Sequence, residues 1–276
     1  MSGDFASWIG KQEQASDRLE PARANALRAA LGQPGDLADG APLPLLYHWL
    51  YFWNVQPPAA LGSDGHPAKG GFLPPVPLPR RMWAGGRLTF LAPLRLGEEV
   101  TRTSTILSVK TKSGRSGELV FVTLQHEIAG ESGTAVIEEQ DLVYRDAAAP
   151  GSIPPPSSET AEITSAVQDV IDPDSVLLFR YSALTMNGHR IHYDRPYAMG
   201  EEAYPALVVQ GPLQATLLAD LSQRGGRSLR TFSFRGQSPA FDSVPLHLCG
   251  DFTEAGAEVW TQQGAKKCMR ASATFR

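Results

Sequence analysis

In LVVQGPLQATLLADLSQRGG, residues 207–226, the part from Gly211 to Gly225 reads as one long helix with a marked start and a marked end. Pro212 sits in the first turn, where its missing N–H costs nothing, and Gly225-Gly226 closes the run. Leu213, Leu217, Leu218 and Leu221 recur at helical spacing and form an apolar stripe that needs a surface to bury against. That surface follows at once in the chain. RTFSFRGQSPAF (230–241), VPLHLCGDFTEAG (244–256) and AEVWTQQGAKKCMRASATFR (257–276) read as strands with short connections, hence as an antiparallel sheet.

Moving toward the N-terminus, the same logic appears once more. LPLLYHWLYFW (43–53) is long, apolar and aromatic, and is read as a buried helix. After it, residues 87–146 read as successive strands, with hairpin loops at TKSGRSGE (111–118) and AGESGTA (129–135). PPAALGSDGHPAKGGFLPPVPLPRRMWAGG (57–86) is dominated by Gly and Pro and is read as a loop throughout. A loop of that length in a compact domain is usually functional or mobile. Residues 4–32 are expected to be helical. PDSVLLFRYSALT (173–185) predicts a short helix capped by Asp172 or Asp174, and DRPYAMGEE (194–202) a shorter helical piece. AAAPGSIPPPSSETAE (147–162) has a linker's Pro/Ser composition, which divides the chain into residues 1–146 and 163–276. The expected class is α+β: a duplicated unit of central helix and antiparallel sheet.

Composition excludes several functions. The 25 basic and 29 acidic residues give a formal net charge of −4, with no Lys/Arg block of the kind nucleic acid attracts. Cys249 and Cys268 form no CxxC pair and suit a reducing compartment. MSGDFASWIGKQEQ lacks the charged and apolar regions of a signal peptide, and no stretch reaches the length of a membrane span. A cytoplasmic protein is expected.

The chemistry-bearing stretch is MNGHRIHYDRPYA, residues 186–198, which holds two of the chain's six histidines. As a metal site, His189, His192 and Asp194 offer three ligands but no fourth, and Gly188 argues against a helix; no metal is expected. As structural residues, both histidines would bond to backbone. As acid–base groups they are well suited, because a neutral imidazole can take a proton from water near neutral pH. Asn187 can hold that water through its amide. Gly211 opens the long helix, where free N–H groups and the helix dipole favour an oxyanion, and it has no side chain to obstruct a carbonyl. Water, base and oxyanion site together describe addition of water to a double bond conjugated with a carbonyl.

HRIHYDRPYA followed by LVVQGPLQATLL resembles the MaoC-like, R-specific enoyl-CoA hydratases, a family of hot-dog folds. In that register His192 takes the place of the family's catalytic His and Gly211 that of its oxyanion glycine. The family's catalytic Asp falls on Asn187, its Asn on His189, and Gln210 stands where His usually precedes the glycine. YSALTMNGHRIHYDR (181–195), WAGGRLTFLAPLRLG (83–97) and SWIGKQE (7–13) resemble the two-domain branch that includes mesaconyl-C4-CoA (3-methylfumaryl-CoA) and itaconyl-CoA hydratases. Mitochondrial hydroxyacyl-thioester dehydratases resemble the second half. The resemblance implies a double hot-dog, with the N-terminal unit non-catalytic and the site in the C-terminal one. It also implies an acyl-CoA thioester as substrate, with no cofactor. His192 is then the base, with His189 as a second candidate.

A C5 dicarboxylic acyl group would require a cation, and Arg is suited to clamp a carboxylate. Arg190, Arg195, Arg235, Arg80 and Arg81 are the candidates, with Gln210 beside the oxyanion glycine. Arg235 alternates away from Phe232 and Phe234 and is read as facing the site. Three rivals remain: a fatty-acyl 3-hydroxyacyl-thioester dehydratase, a thioesterase, which would want a carboxylate where Asn187 stands, and a non-catalytic acyl-CoA binder. A homodimer is compatible with all of them.

Overall fold

The structure, a computed structural model, describes residues 5–114, 117–147 and 167–276. Five strands come from the first half: β1 (Gln12–Arg18), then, after helix α1 (Pro21–Ala30), β2 (Arg80–Phe90), β3 (Glu99–Gly114), β4 (Gly117–Gly130) and β5 (Gly133–Arg145). The second half runs β6 (Val167–Ile171), α2 (Ser175–Leu184), α3 (Arg195–Gly200), α4 (Gly211–Gln223), β7 (Leu229–Gly236), β8 (Leu246–Phe252), β9 (Gly256–Gln263) and β10 (Lys266–Phe275). These strands form one sheet in the order β1-β3-β4-β5-β2-β7-β10-β9-β8-β6. Read outward from the centre, each half has the same order: second strand, fifth, fourth, third, first. The duplication predicted from the sequence is therefore present in the strand topology. The linker predicted at 147–162 lies, apart from residue 147, outside the described residues.

α4 is the helix the sequence predicted. Gly225 and Gly226, at φ 78° and 77°, close it in the left-handed conformation glycine tolerates. Leu213, Leu217, Leu218 and Leu221 are all buried, against strands that carry Phe232, Phe234, Val259 and Met269. Leu88 and Phe90 of β2 belong to the same core, so it is continuous across the two halves.

Three expectations are corrected. Residues 43–53 are not a helix: Leu46 and Phe52 have positive φ (67° and 61°), and only a four-residue 3-10 turn, Tyr47–Leu50, forms between them. The segment is buried as its composition demands, but burial does not require regular structure. Here His48 Nε2 (2.9 Å) and Trp49 Nε1 (3.0 Å) turn inward to the buried Glu138 carboxylate. Residues 4–32 are not one helix either, since 12–18 form edge strand β1, half-buried on alternate residues and paired with β3. Their local helical preference yields to sheet pairing. The loop predicted at 57–86 ends early, because β2 begins at Arg80. Gly85 of β2 marks close approach rather than a turn: a Cβ on it would stand 2.5 Å from the Phe234 carbonyl oxygen, across the β2–β7 junction that joins the halves.

Among the described residues no helix is long and apolar enough to cross a membrane.

Candidate active site

The site is assembled from two loops and a helix start. Asp174 caps α2, its carboxylate accepting from Leu177 N at 2.7 Å, so the alternative cap Asp172 is not used. α2 ends at Leu184 with Thr185 as its C-cap, and Met186 turns the chain in the left-handed region (φ 51°). Asn187 Oδ1 then accepts from His189 N at 3.1 Å, a local turn that leaves the amide NH2 as the donor. A 3-10 turn, Arg190–His192, brings the second imidazole inward. Asp194 caps α3 by accepting from Tyr197 N, and its other oxygen is bound by Arg190 at 2.7 and 2.9 Å.

His192 is buried, and its Nδ1 lies 2.6 Å from the Val208 carbonyl oxygen. A carbonyl can only accept, so Nδ1 carries the proton and Nε2 keeps a lone pair. Burial pushes the His192 pKa down to about 4, which keeps the ring neutral. Val208 lies three residues before Gly211, so the chain holds this anchor within about 11 Å of the glycine. The first amides of α4 have no intrahelical acceptor. A Cβ on Gly211 would make only ordinary van der Waals contact, with Met269 Cε at 3.8 Å and the Trp83 carbonyl oxygen at 4.0 Å.

His189 stands beside His192, ring centroids 5.4 Å apart and nearly perpendicular. Burial, then the neighbouring His66 and His192, drive its pKa down to about 2. His66 was not singled out in the sequence, yet its ring centroid is 4.3 Å from that of His189. It comes from the long Gly/Pro loop of the first half, with its Nδ1 3.0 Å from Asp64 Oδ2. The two loops touch backbone to backbone. Arg190 N donates to Asp64 O (2.9 Å), and a Cβ on Gly65 would fall 2.0 Å from Gly188 O. The loop's unusual length was the available signal, but which of its residues mattered was not legible. Ligand atoms of Asp64, His66 and His189 lie within 4.8 Å of one another. This is a different trio from His189, His192 and Asp194, whose Asp194 is committed to Arg190.

The arginine candidates separate clearly. Arg190 is held by Asp194 and by Ser63 O, and lies over the Tyr197 ring. Arg195 pairs with Asp242. Arg80 is buried, its Nε 2.9 Å from Glu202 Oε2 and its Nη2 donating to Glu202 O. Arg235 is exposed and does not face the site: it shares the outer face of the sheet with Lys110, Asp141 and Arg270, opposite the Phe232 and Phe234 side that packs on α4. Arg235 does alternate away from the phenylalanines, but the face that buries them is the helix side. Arg81 remains, and its charge lowers the pKa of both His66 and His189. Gln210 is fully buried and ties α4 to α2, donating to Leu178 O (2.8 Å) and Ser182 Oγ (3.0 Å). Among the described residues its Oε1 finds no partner.

Residues 46–242 match the family model for hydroxyacyl-thioester dehydratase type 2. The chain is 48% identical over 249 residues to a mesaconyl-C(4)-CoA hydratase of Chloroflexus aurantiacus, covering 90% of this chain and 89% of that protein. It is 29% identical over 230 residues to the mitochondrial hydroxyacyl-thioester dehydratase type 2 of Schizosaccharomyces pombe, covering 74% and 76%. Among solved structures it resembles HtdX of Mycobacterium tuberculosis, with a TM-score of 0.66 at 16% identity, covering 96% of this chain and all of that one. A second Mycobacterium tuberculosis protein, with a double hotdog fold, superposes at a TM-score of 0.57 and 13% identity, covering 97% and 96%. The sheet and helix order described above is that fold.

Proposed function

We infer that this chain, which belongs to the hydroxyacyl-thioester dehydratase type 2 family, is a hydro-lyase that reversibly adds water to an α,β-unsaturated acyl-CoA thioester. The acyl group is a C5 dicarboxylic one of the mesaconyl-C4-CoA kind, the substrate named for the relative at 48% identity; itaconyl-CoA is the second C5 choice. The observation that carries the mechanism is His192, buried, neutral and anchored through Nδ1 to Val208 O just ahead of the helix start at Gly211.

The substrate carbonyl is placed at the Gly211 amide. A water held by the Asn187 amide gives its proton to His192 Nε2, and the hydroxide oxygen adds at Cβ. The negative charge that develops on the carbonyl oxygen rests at the head of α4. Loss of one such donor typically costs ~2.7–4 kcal/mol of transition-state stabilisation. The reaction as written needs no metal or redox cofactor, and CoA enters as part of the substrate. Arg81 is the cation best placed to meet the distal carboxylate, since its charge reaches the same imidazoles the acyl group must approach. His192, Asn187 and Gly211 come from the second half, and the first half brings Arg81, Asp64 and His66 to the same centre. Both hot-dog units are present in one chain, so a homodimer would add an interface rather than complete the site.

The family description favours one alternative, the same chemistry run as dehydration of a monoacyl 3-hydroxyacyl thioester. Absorbance at the enoyl-thioester band separates the readings, with mesaconyl-C4-CoA, itaconyl-CoA and crotonyl-CoA offered separately to wild type and His192→Ala. Consumption of one dicarboxylic substrate, lost in the variant by about 100-fold or more, is expected. Turnover of crotonyl-CoA alone moves the protein to fatty-acyl chemistry. Binding without turnover leaves a non-catalytic acyl-CoA binder.

A further inference from the structure

The hydration above leaves one proton unassigned, the one that enters at Cα. Three imidazoles line this site, and their surroundings differ in kind. The ring bond recorded for His192 is to a neutral carbonyl, which suits a base that starts uncharged. His189 lies between the other two rings and, among the described residues, no carboxylate hydrogen-bonds to its ring. His66 is bonded to a carboxylate, Asp64 Oδ2 at 3.0 Å, while Asp64 Oδ1 accepts from His66 N at 3.0 Å. With Nδ1–H donating to Asp64, Nε2 is the free ring position, and the carboxylate compensates a positive charge on the ring. The two rings differ in partner, a neutral carbonyl at His192 and a carboxylate at His66, and of the two the carboxylate-paired ring is the better suited to hold a proton and give it up as an acid.

We propose that the Asp64–His66 pair, carried on the loop of the first half, is a second acid–base pair of this site and delivers the proton to Cα. The proposal rests on the hydratase reading and extends it to residues outside the C-terminal half. In the hydration direction His192 Nε2 takes a proton from water, and the water oxygen's electron pair forms the C–O bond at Cβ. The C=C π pair moves toward the carbonyl as an enolate. That pair returns to Cα and takes the proton from His66 Nε2. The proton left on His192 passes through His189 to His66, restoring both rings. No oxidant or further reactant is consumed.

The charged and titratable groups facing His66 are Asp64 on its own loop, Arg81 on β2, Glu202 beyond α3, and His189 and His192. The His66 pKa lies below the ordinary imidazole value, because burial, with Arg81 beside it, outweighs the Asp64 hydrogen bond that raises it; removing Asp64 therefore makes the imidazolium harder still to keep.

The test measures kcat and KM with mesaconyl-C4-CoA from pH 5 to 9 for wild type, His66→Gln and Asp64→Asn, with binding of methylsuccinyl-CoA, the saturated analogue, measured by calorimetry. His66→Gln is expected to lose about 100-fold or more in kcat, with KM and analogue binding changed less than about threefold. Asp64→Asn is expected to lose about tenfold in kcat and to move the high-pH limb of the profile to lower pH, because the acid form is lost sooner. A purely structural role would not move that limb, so Asp64→Asn carries the test if His66→Gln fails to fold. Retained kcat with a raised KM in His66→Gln makes His66 a substrate-carboxylate contact and overturns the proposal. Loss of wild-type activity to a chelator, restored by a divalent cation, reassigns the Asp64, His66 and His189 trio to a metal and also overturns it. A wild type inert toward every enoyl thioester offered sinks the hydratase reading itself, whereas an active wild type with a fully active His66→Gln sinks only the dyad.

Discussion

Arg81 and Arg235 show how a single side chain's role depends on which face of a strand it leaves. Both were candidates for a carboxylate clamp, and both stand on strands that meet at the junction of the halves, β2 and β7. Arg235 points to the outer face of the sheet, whereas Arg81 lies where its charge reaches His66 and His189. Arg81→Gln is therefore expected to raise KM for mesaconyl-C4-CoA about 10- to 100-fold, the loss of one charge-assisted contact of about 1.5–3 kcal/mol. Crotonyl-CoA, which has no second carboxylate, should show less than about a twofold change, and equal losses on both substrates would assign Arg81 to the CoA moiety instead. His189 and His192 were legible as neighbours because only two residues separate them in the chain. Asp64 and His66 were not, because more than 120 residues separate them from His189 and only the folded loop contact brings them there.

At the scale of elements, α4 was readable end to end, since its leucine stripe, Pro212 and Gly225-Gly226 all agree. Residues 43–53 were not, because a segment apolar on every side carries no periodicity to distinguish a helix from an irregular buried run. That irregular segment and the turn after α1 form one hydrogen-bonded chain to α4. Gln33 Nε2 donates to Asp220 Oδ2 at 2.7 Å, and Tyr47 Oη donates to Gln33 Oε1 at 3.2 Å. Burial raises the Asp220 pKa to about 6, and the Gln33 hydrogen bond only partly offsets it. A carboxyl whose folded pKa lies above its unfolded value contributes stability that is fully present below about pH 4 and lost as pH rises through about 6. Asp220→Asn is thus expected to be more stable than wild type at pH 8, by about 1 kcal/mol after allowing for its partial exposure. The difference should vanish below about pH 4. Paired urea melts at the two pH values check this, and a variant less stable than wild type at pH 8 would mean that the ionised carboxylate is favoured.

Across the whole molecule, the repeat of strand order invites a view of two separable units, and the pairing of β2 with β7 argues against it. Residues Gly85–Thr89 pair with Thr231–Arg235 in the middle of one sheet. Leu88 and Phe90 share a core with Leu213, Leu218 and Phe232 from the other half. Cutting between the halves would uncover the β7 edge, a long strand with its ladder groups unpaired, together with the apolar surface β2 covers. The loop carrying Asp64 and His66 would also leave the site. Residues 163–276 produced alone are therefore expected to aggregate or to remain without a cooperative thermal transition. Coexpression with residues 1–146 should restore a 1:1 complex that melts in a single step. Calorimetry and light scattering read both outcomes. A C-terminal half that is monomeric, melts cooperatively and hydrates mesaconyl-C4-CoA at the full-length rate would make the sheet junction dispensable and would remove Asp64 and His66 from the chemistry at the same time.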